Sequence, residues 1–361
     1  MQTFWIGERR VGPEAPAFII AELAWAHDGD LDKAIRIAQG AAAAGADAFS
    51  IHVTHLPDYM VRHYGNPDTV SAGKPTSAIY DYLDKINLGF EQVEALVEAT
   101  RNMGLAVCLM PNDFASLHFC EGLNPDAYVL APACFVEHDF VEAIGQAGRP
   151  VILRIGGATL GEIEGTVNRL RAAGADRLLL LHGFQTYPTR LEETNLRVMP
   201  LLSRLFNCPV GLADHLDGGD ALAQVIPPLA LAVGAVAIEK HITWDRAEQG
   251  EDFESALDPA QFATFVRYVR AAQTALGVEA MPPFSADVQK YRQVARKRVV
   301  AACDIPAGTV LQPEHLVCKR SDEGASPEER PYLIGQVTAV DLAQDAPVTQ
   351  AVLIRTQEVM A

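Results

Sequence analysis

Histidines, carboxylates and an arginine recur just past short apolar runs along this 361-residue chain. Glu22 falls within FIIAEL, with His27 close behind, and His52 and His55 come at and after AFSIHV. Cys134 follows the run at 127–131, and Arg154 closes VILRI. His182 ends the next run and precedes Gln185 and Tyr187; Asp214 and His215 follow PVGLA. Glu239, Lys240 and His241 end the last run. His215 and His241, at the ends of successive runs, can each offer a neutral imidazole nitrogen to one divalent ion, with carboxylates or water completing the shell. Asp252, in QGED, is a candidate third ligand or water-holding group. Histidines held only by packing are the bland alternative. Arg154 needs a partner, either a ligand carboxylate or phosphate or an internal Asp or Glu. Glu22 and His27 are candidates for proton transfer, and His27 could instead orient Glu22 or its loop. His52 and His55 also read as partly buried loop histidines. Cys134 has no activating base in sight and reads as a buried, inert thiol.

These residues would share one rim only if the runs are parallel strands. Runs at 18–23, 48–53, 105–110, 127–131, 151–155, 177–182, 209–213 and 235–240 alternate with amphipathic stretches such as LDKAIRIAQGAAAAG, which Asp30 can cap. Near-continuous apolar strands joined by crossover helices imply a parallel sheet. Eight such units predict a (β/α)8 TIM barrel, whose chemistry sits at the C-terminal strand ends. No G-x-G-x-x-G follows the first strand, which counts against an open dinucleotide fold. A long polar segment after the second strand, to about Leu88, reads as a loop. Composition changes after Gly277. We therefore expect a barrel over residues 1–282, a linker over 283–295, and a small β-rich domain over 296–361.

Composition excludes some partners. The chain has 29 Lys+Arg against 46 Asp+Glu, a net charge of −17. So acidic a protein lacks the basic face that nucleic acid requires, and it gains nothing from an anionic membrane surface. No run is long enough for a membrane span, no signal-peptide h-region is evident, and the six cysteines form no CxxC pair. The expectation is a cytoplasmic protein with reduced thiols, acting on a small molecule.

Several blocks resemble the sialic acid (N-acetylneuraminate) synthases. FIIAELAWAHDGDLDKAIRIAQGAAAAGADA is similar to that family's opening block. HGFQTYPTRLEETNL, GLADH, AIEKHIT and GEDFESALDP follow in the family's order. ARKRVVAACDIPAGTVLQPEHLVCKR and LIGQVTAV resemble its antifreeze-like (SAF) domain, a β-clip. The resemblance implies a TIM barrel followed by that domain. It also implies condensation of phosphoenolpyruvate with a sugar-like aldehyde, assisted by Mn²⁺ or Mg²⁺, with Zn²⁺ a further candidate. It makes His215 and His241 the metal ligands, puts Glu22 near the sugar, and matches Asp252 to a family aspartate. Through Arg296 (or Arg298) it implies a domain-swapped homodimer in which that arginine reaches a partner's sugar site. His52, Arg154, Gln185, Tyr187, Asp214, Lys240 and Arg296 are the substrate-binding candidates.

The departures lie mainly in the donor cradle. The family's second-strand KFQ is Ser50-Ile51-His52 here, and its fourth-strand KI-x-S is Val129-Leu130-Ala131-Pro132. Both cradle lysines are therefore absent, each a charge-assisted contact of roughly 1.5–3 kcal/mol. A glutamate is replaced by Cys134, a serine by Ala213 and an asparagine by Ala26. Arg154 restores one positive charge, with His52 a candidate second. A metal-dependent lyase, epimerase or hydrolase with a lost phosphoenolpyruvate cradle is the alternative function. A non-catalytic binding protein is a third reading.

Overall fold

The structure, a computed structural model, describes residues 3–63, 70–71, 74–75, 79–183 and 186–354. Eight strands run Phe18–Glu22 (β1), Ala48–Val53 (β2), Ala106–Pro111 (β3), Ala127–Leu130 (β4), Val151–Arg154 (β5), Leu178–His182 (β6), Val210–Asp214 (β7) and Ala237–His241 (β8). All pair in parallel with their sequence neighbours, and β8 pairs with β1 to close the barrel. This is the TIM barrel expected from the alternating pattern, with strand edges shifted by one or two residues.

Strand alternation sorts side chains into two layers. Ile19, Phe49, Leu109, Leu153, Leu180, Leu212 and Ile238 face outward and pack under helices, against residues such as Ile37, Leu96 and Phe265. Phe18, Ile20, Ala48, Cys108, Val129, Ile152, Leu179, Leu181 and Ala237 fill the interior. An antiparallel hairpin, Phe4–Ile6 with Arg9–Val11, adds Phe4, Ile6 and Val11 to that inner cluster. It lies ahead of Phe18, the first residue of β1, and so plugs the barrel floor. Nothing in the N-terminal sequence had been read as this plug.

Local signals hold where they were read. The Asp30 side chain accepts the Lys33 N–H at 3.1 Å and starts helix Leu31–Ala44. That helix ends at Gly45, whose φ of 88° is the left-handed cap that glycine tolerates. The segment expected as a loop to about Leu88 instead contains helices Leu56–Tyr59 and Ile79–Ile86. Tyr80, Leu83 and Ile86 bury one face of the second helix with Leu56, a short amphipathic signal hidden among polar residues.

The chain divides into two compact units, Met1–Gly277 and Val278–Ala361. Within the second, the stretch expected as a linker carries helix Ala286–Ala295, started by the Ser285 side chain, which accepts the Val288 N–H. Strands Lys297–Ala301 (β9) and Leu316–Arg320 (β10) pair antiparallel. Val299, Ala301, Ile305, Leu311, Leu316, Leu333, Leu342 and Val348 form their own small core. Among the described residues no helix is long and apolar enough to cross a membrane.

The end of β6 allows no side chain. A Cβ on Gly183 would lie 2.0 Å from the Ala213 carbonyl oxygen of β7. Gly183→Ala must therefore push β6 and β7 apart, at a cost of about 3 kcal/mol. A urea-unfolding midpoint matching the wild type would contradict this close approach.

Candidate active site

The site is built at the C-terminal mouth of the barrel, around the seam where β8 meets β1. Register sets Glu22 beside His241 on one side and beside Ser50 on the other. Glu239, two residues before His241, shares its inward face. Arg154 enters from β5 and spans to this group. Its Nε donates to Glu239 Oε2 at 3.2 Å, and its Nη2 donates to Glu239 Oε2 at 3.0 Å and to Glu22 Oε2. Nη2 also lies 3.4 Å from Ser50 Oγ, and Nη1 lies 3.3 Å from His52 Nε2 and 3.5 Å from Met110 Sδ. Two of the three guanidinium nitrogens, Nε and Nη2, are engaged by carboxylates, and Nη1 is packed against His52 and Met110. Of the two partners read for Arg154, the internal carboxylate is present, so its charge is already shared by Glu22 and Glu239.

Burial alone would raise the Glu22 pKa. Arg154, and then His52, more than offset this and hold the carboxyl well below the usual carboxylate range. Glu239 shares the same guanidinium less closely. Burial, aided by the Glu22 charge, pushes its pKa upward despite Arg154. His52 Nε2 sits 3.0 Å from Glu22 Oε1, and the Trp25 ring meets the imidazole edge-on at 4.7 Å. Burial lowers the His52 pKa against the pull of Glu22, so His52 is neutral near pH 7. The shift favours the neutral ring over the second positive charge considered for His52.

His215 and His241 come together as expected, with ring centroids 5.1 Å apart. Both are buried, and burial lowers both pKa values, that of His241 to about 3 and that of His215 well below its usual value. His215 Nδ1 and His241 Nε2 are buried without a hydrogen-bond partner. Two neutral imidazoles with orphaned nitrogens are a donor set that fits a divalent transition metal better than Mg²⁺, which prefers oxygen ligands. Tyr187 meets both rings edge-on, at 4.9 and 5.7 Å between centroids. Asp252 holds a φ of 60°, and burial, then Glu251 and Glu22, push its pKa up to about 7. His27 is buried, its Nδ1 accepts the Gly29 N–H at 3.0 Å, and burial lowers its pKa to about 4.

Some other candidates face away from the mouth. Lys240 and Asp214 occupy the outward parity of their strands, alongside Ile238, Leu212 and Leu216. Lys240 Nζ donates to Asp214 Oδ2 at 2.6 Å and to the Leu216 carbonyl at 3.0 Å, sealed under the helices. One-residue alternation thus removes both from the substrate set. His182 also faces outward and bonds the Thr194 carbonyl at 3.0 Å. Gln185 lies outside the described residues. Arg296, in the second unit, is exposed at the end of helix Ala286–Ala295. Cys134 is buried and its thiol pKa is pushed up to about 11 by that burial, consistent with an inert thiol.

His55, Asp58 and Asp113 offer ligand atoms within 4.8 Å of one another. Both Asp113 oxygens already accept hydrogen bonds, however. Oδ2 accepts the His55 N–H at 2.9 Å, and Oδ1 accepts the Ser116 N–H at 2.8 Å to start helix Phe114–Leu123. Ser50 and Met110 were not among the sequence candidates for the site, and Glu239 was read only as one of the polar residues at the end of the last run, without a role. The signal for Glu239 was its even spacing from His241 on one strand.

A profile of the NeuB family matches residues 37–281, and one of the SAF domain matches residues 296–353. A pseudaminic acid synthase of Campylobacter jejuni is 30% identical over 327 residues, covering 90% of this chain and 93% of that protein. The human N-acetylneuraminate-9-phosphate synthase is 26% identical over 339 residues, covering 93% and 92%. Among solved structures, an N-acetylneuraminic acid synthetase of Leptospira borgpetersenii, in complex with citrate, superposes with a TM-score of 0.71. It is 26% identical and covers 81% of this chain and 97% of its own.

The outward Lys240–Asp214 pair yields a test of its placement. Lys240→Met strands a buried carboxylate and costs about 3–5 kcal/mol. Adding Asp214→Leu recovers most of that loss. Denaturant melts of the two variants check both halves; a single variant as stable as wild type would place Lys240 in water.

Proposed function

This chain belongs to the NeuB family, and from that premise we propose that it joins a three-carbon donor, phosphoenolpyruvate or an analogue, to a sugar-like aldehyde. The reaction is an aldol-type condensation that depends on a divalent metal. The observation that carries this reading is the pair of buried, neutral imidazoles of His215 and His241, whose orphaned nitrogens lie in a barrel mouth. These two residues would hold the ion. The donor set favours Mn²⁺ or Zn²⁺ over Mg²⁺. When bound, the ion supplies Lewis acidity to a carbonyl oxygen.

The remaining residues have assignable parts. Glu22 is anchored by Arg154 and His52, and its depressed pKa makes it a poor proton carrier at neutral pH. Its part is to fix those two side chains. His27 carries its proton on Nε2, because Nδ1 accepts from Gly29, and so presents a neutral N–H donor. Asp252 titrates near pH 7, where a proton can be both held and released, and so suits general acid–base work. Tyr187 walls the imidazole pair on one side. The plugged floor leaves the mouth as the route for substrate. Chain assembly as a homodimer is part of the proposal.

One observation favours a second reading, a lyase, epimerase or hydrolase on the same metal. Arg154 is shared internally, so the cation expected to replace the donor cradle is already paired with two carboxyl groups.

The reading predicts a new C–C bond when Mn²⁺-loaded protein meets a three-carbon donor (phosphoenolpyruvate, pyruvate or dihydroxyacetone, each tried in turn) and a panel of aldoses that includes N-acylated amino sugars. Mass spectrometry of the products checks it, and no adduct with any aldose would sink it. His215→Ala and His241→Ala should each reduce bound metal to less than about a tenth of wild type, read by elemental analysis on folded protein.

A further inference from the structure

The eight barrel strands contain two Lys or Arg residues, Arg154 and Lys240. Lys240 faces outward and is bonded to Asp214. Arg154 is therefore the only such cation on the inner face of the strands, and it is held between Glu22 and Glu239. One guanidinium shared by two carboxyl groups leaves no surplus positive charge among the side chains of this part of the mouth.

Two further atoms in the same group have no partner. Glu239 Oε1 is buried without a hydrogen bond, on a residue only 1% exposed. His52 Nδ1 is likewise unpartnered. His52 Nε2 is nearer Glu22 Oε1, at 3.0 Å, than Arg154 Nη1, at 3.3 Å, which assigns the ring proton to Nε2. Nδ1 is then an acceptor, and Glu239 Oε1 is one in the carboxylate form that Arg154 favours. Both atoms call for a ligand that brings hydrogen-bond donors.

A phosphate ester is the opposite of such a ligand. It carries up to two negative charges and offers mainly acceptor oxygens. At Arg154 it would have to share one guanidinium with Glu22 and Glu239, adding its charge to two carboxylates that already hold that cation. We infer that this part of the mouth takes an uncharged, hydroxyl-bearing three-carbon unit and turns away its phosphate ester. Calling that unit the donor rests on the condensation reading above. With an unphosphorylated donor the reaction is a plain aldol addition. The donor carbon loses a proton and bonds to the aldehyde carbon, and the aldehyde oxygen gains a proton. No phosphate leaves, and no oxidant or reductant is needed.

Matched probes test this. Dihydroxyacetone, dihydroxyacetone phosphate and phosphoenolpyruvate are titrated into metal-free and Mn²⁺-loaded protein at fixed ionic strength, with binding read by calorimetry or ligand-observed NMR. Dihydroxyacetone should bind at least about tenfold more tightly than either phosphorylated compound, the equivalent of about 1.4 kcal/mol. Glu239→Gln releases Arg154 from one charge without changing side-chain shape. Both phosphorylated compounds should then gain about tenfold or more, while dihydroxyacetone weakens. Should that variant fail to fold, His52→Lys places a cation in the same group and should give the same gain for the phosphorylated compounds. Phosphorylated probes that match dihydroxyacetone on the wild type, or no binding of dihydroxyacetone, overturn the inference. Binding in the expected order without C–C bond formation would instead overturn the condensation reading and leave this one standing.

Discussion

A single guanidinium organises the mouth of this barrel. Arg154 reaches from β5 across to the β8–β1 seam and ties Glu239 and Glu22 together. Three charges buried this deeply are stable only because each compensates another. The arrangement fixes Glu22 as an anion, and Glu22 in turn fixes the His52 ring through Nε2. Glu22 also stands beside His241 in register, so the histidine pair is framed by the same set of contacts. Packing alone would not hold these side chains in one arrangement, because most of their neighbours at this level are polar.

The result is a mouth with two distinct halves. On one side, burial keeps His215 and His241 neutral, with lone pairs available and Tyr187 alongside. On the other, the charged triad presents acceptor atoms. Family membership accounts for the first half, since the blocks around both histidines match the pattern read in the sequence. The second half is where this chain departs. A cation that could have received a ligand is shared by carboxylates from strands across the barrel.

Most of the fold was legible because its signals are periodic. Eight apolar runs separated by amphipathic stretches specify a parallel barrel almost without regard to detail. The helix Ile79–Ile86 was missed because one short apolar stripe, Tyr80, Leu83 and Ile86, sits within a polar context. The site was legible only in part, for a related reason. Being close to a strand's end was read as being at the rim, but facing the rim also depends on parity. His215 and His241 have the inward parity, whereas Asp214 and Lys240, one residue before each, have the other. Parity also singles out Glu239. The pairing of Arg154 with two carboxylates could not be read from sequence, because those residues lie on β1 and β8 and only barrel closure brings them to β5.

That closure bears on how the protein is made. Glu22 belongs to the first barrel strand, and Glu239 and His241 to the last. Synthesis from the N-terminus delivers Glu22 and Arg154 long before their partners exist. Until β8 docks, Arg154 has one of its two carboxylates, His215 has no companion ring, and the edges of β1 and β7 stand open. The site thus cannot be complete before β8 docks, and it depends on contacts that span nearly the whole unit, the kind that form slowly. Any nascent or truncated chain short of β8 is inert by construction. Competence for chemistry and completion of the fold are, in this protein, a single event.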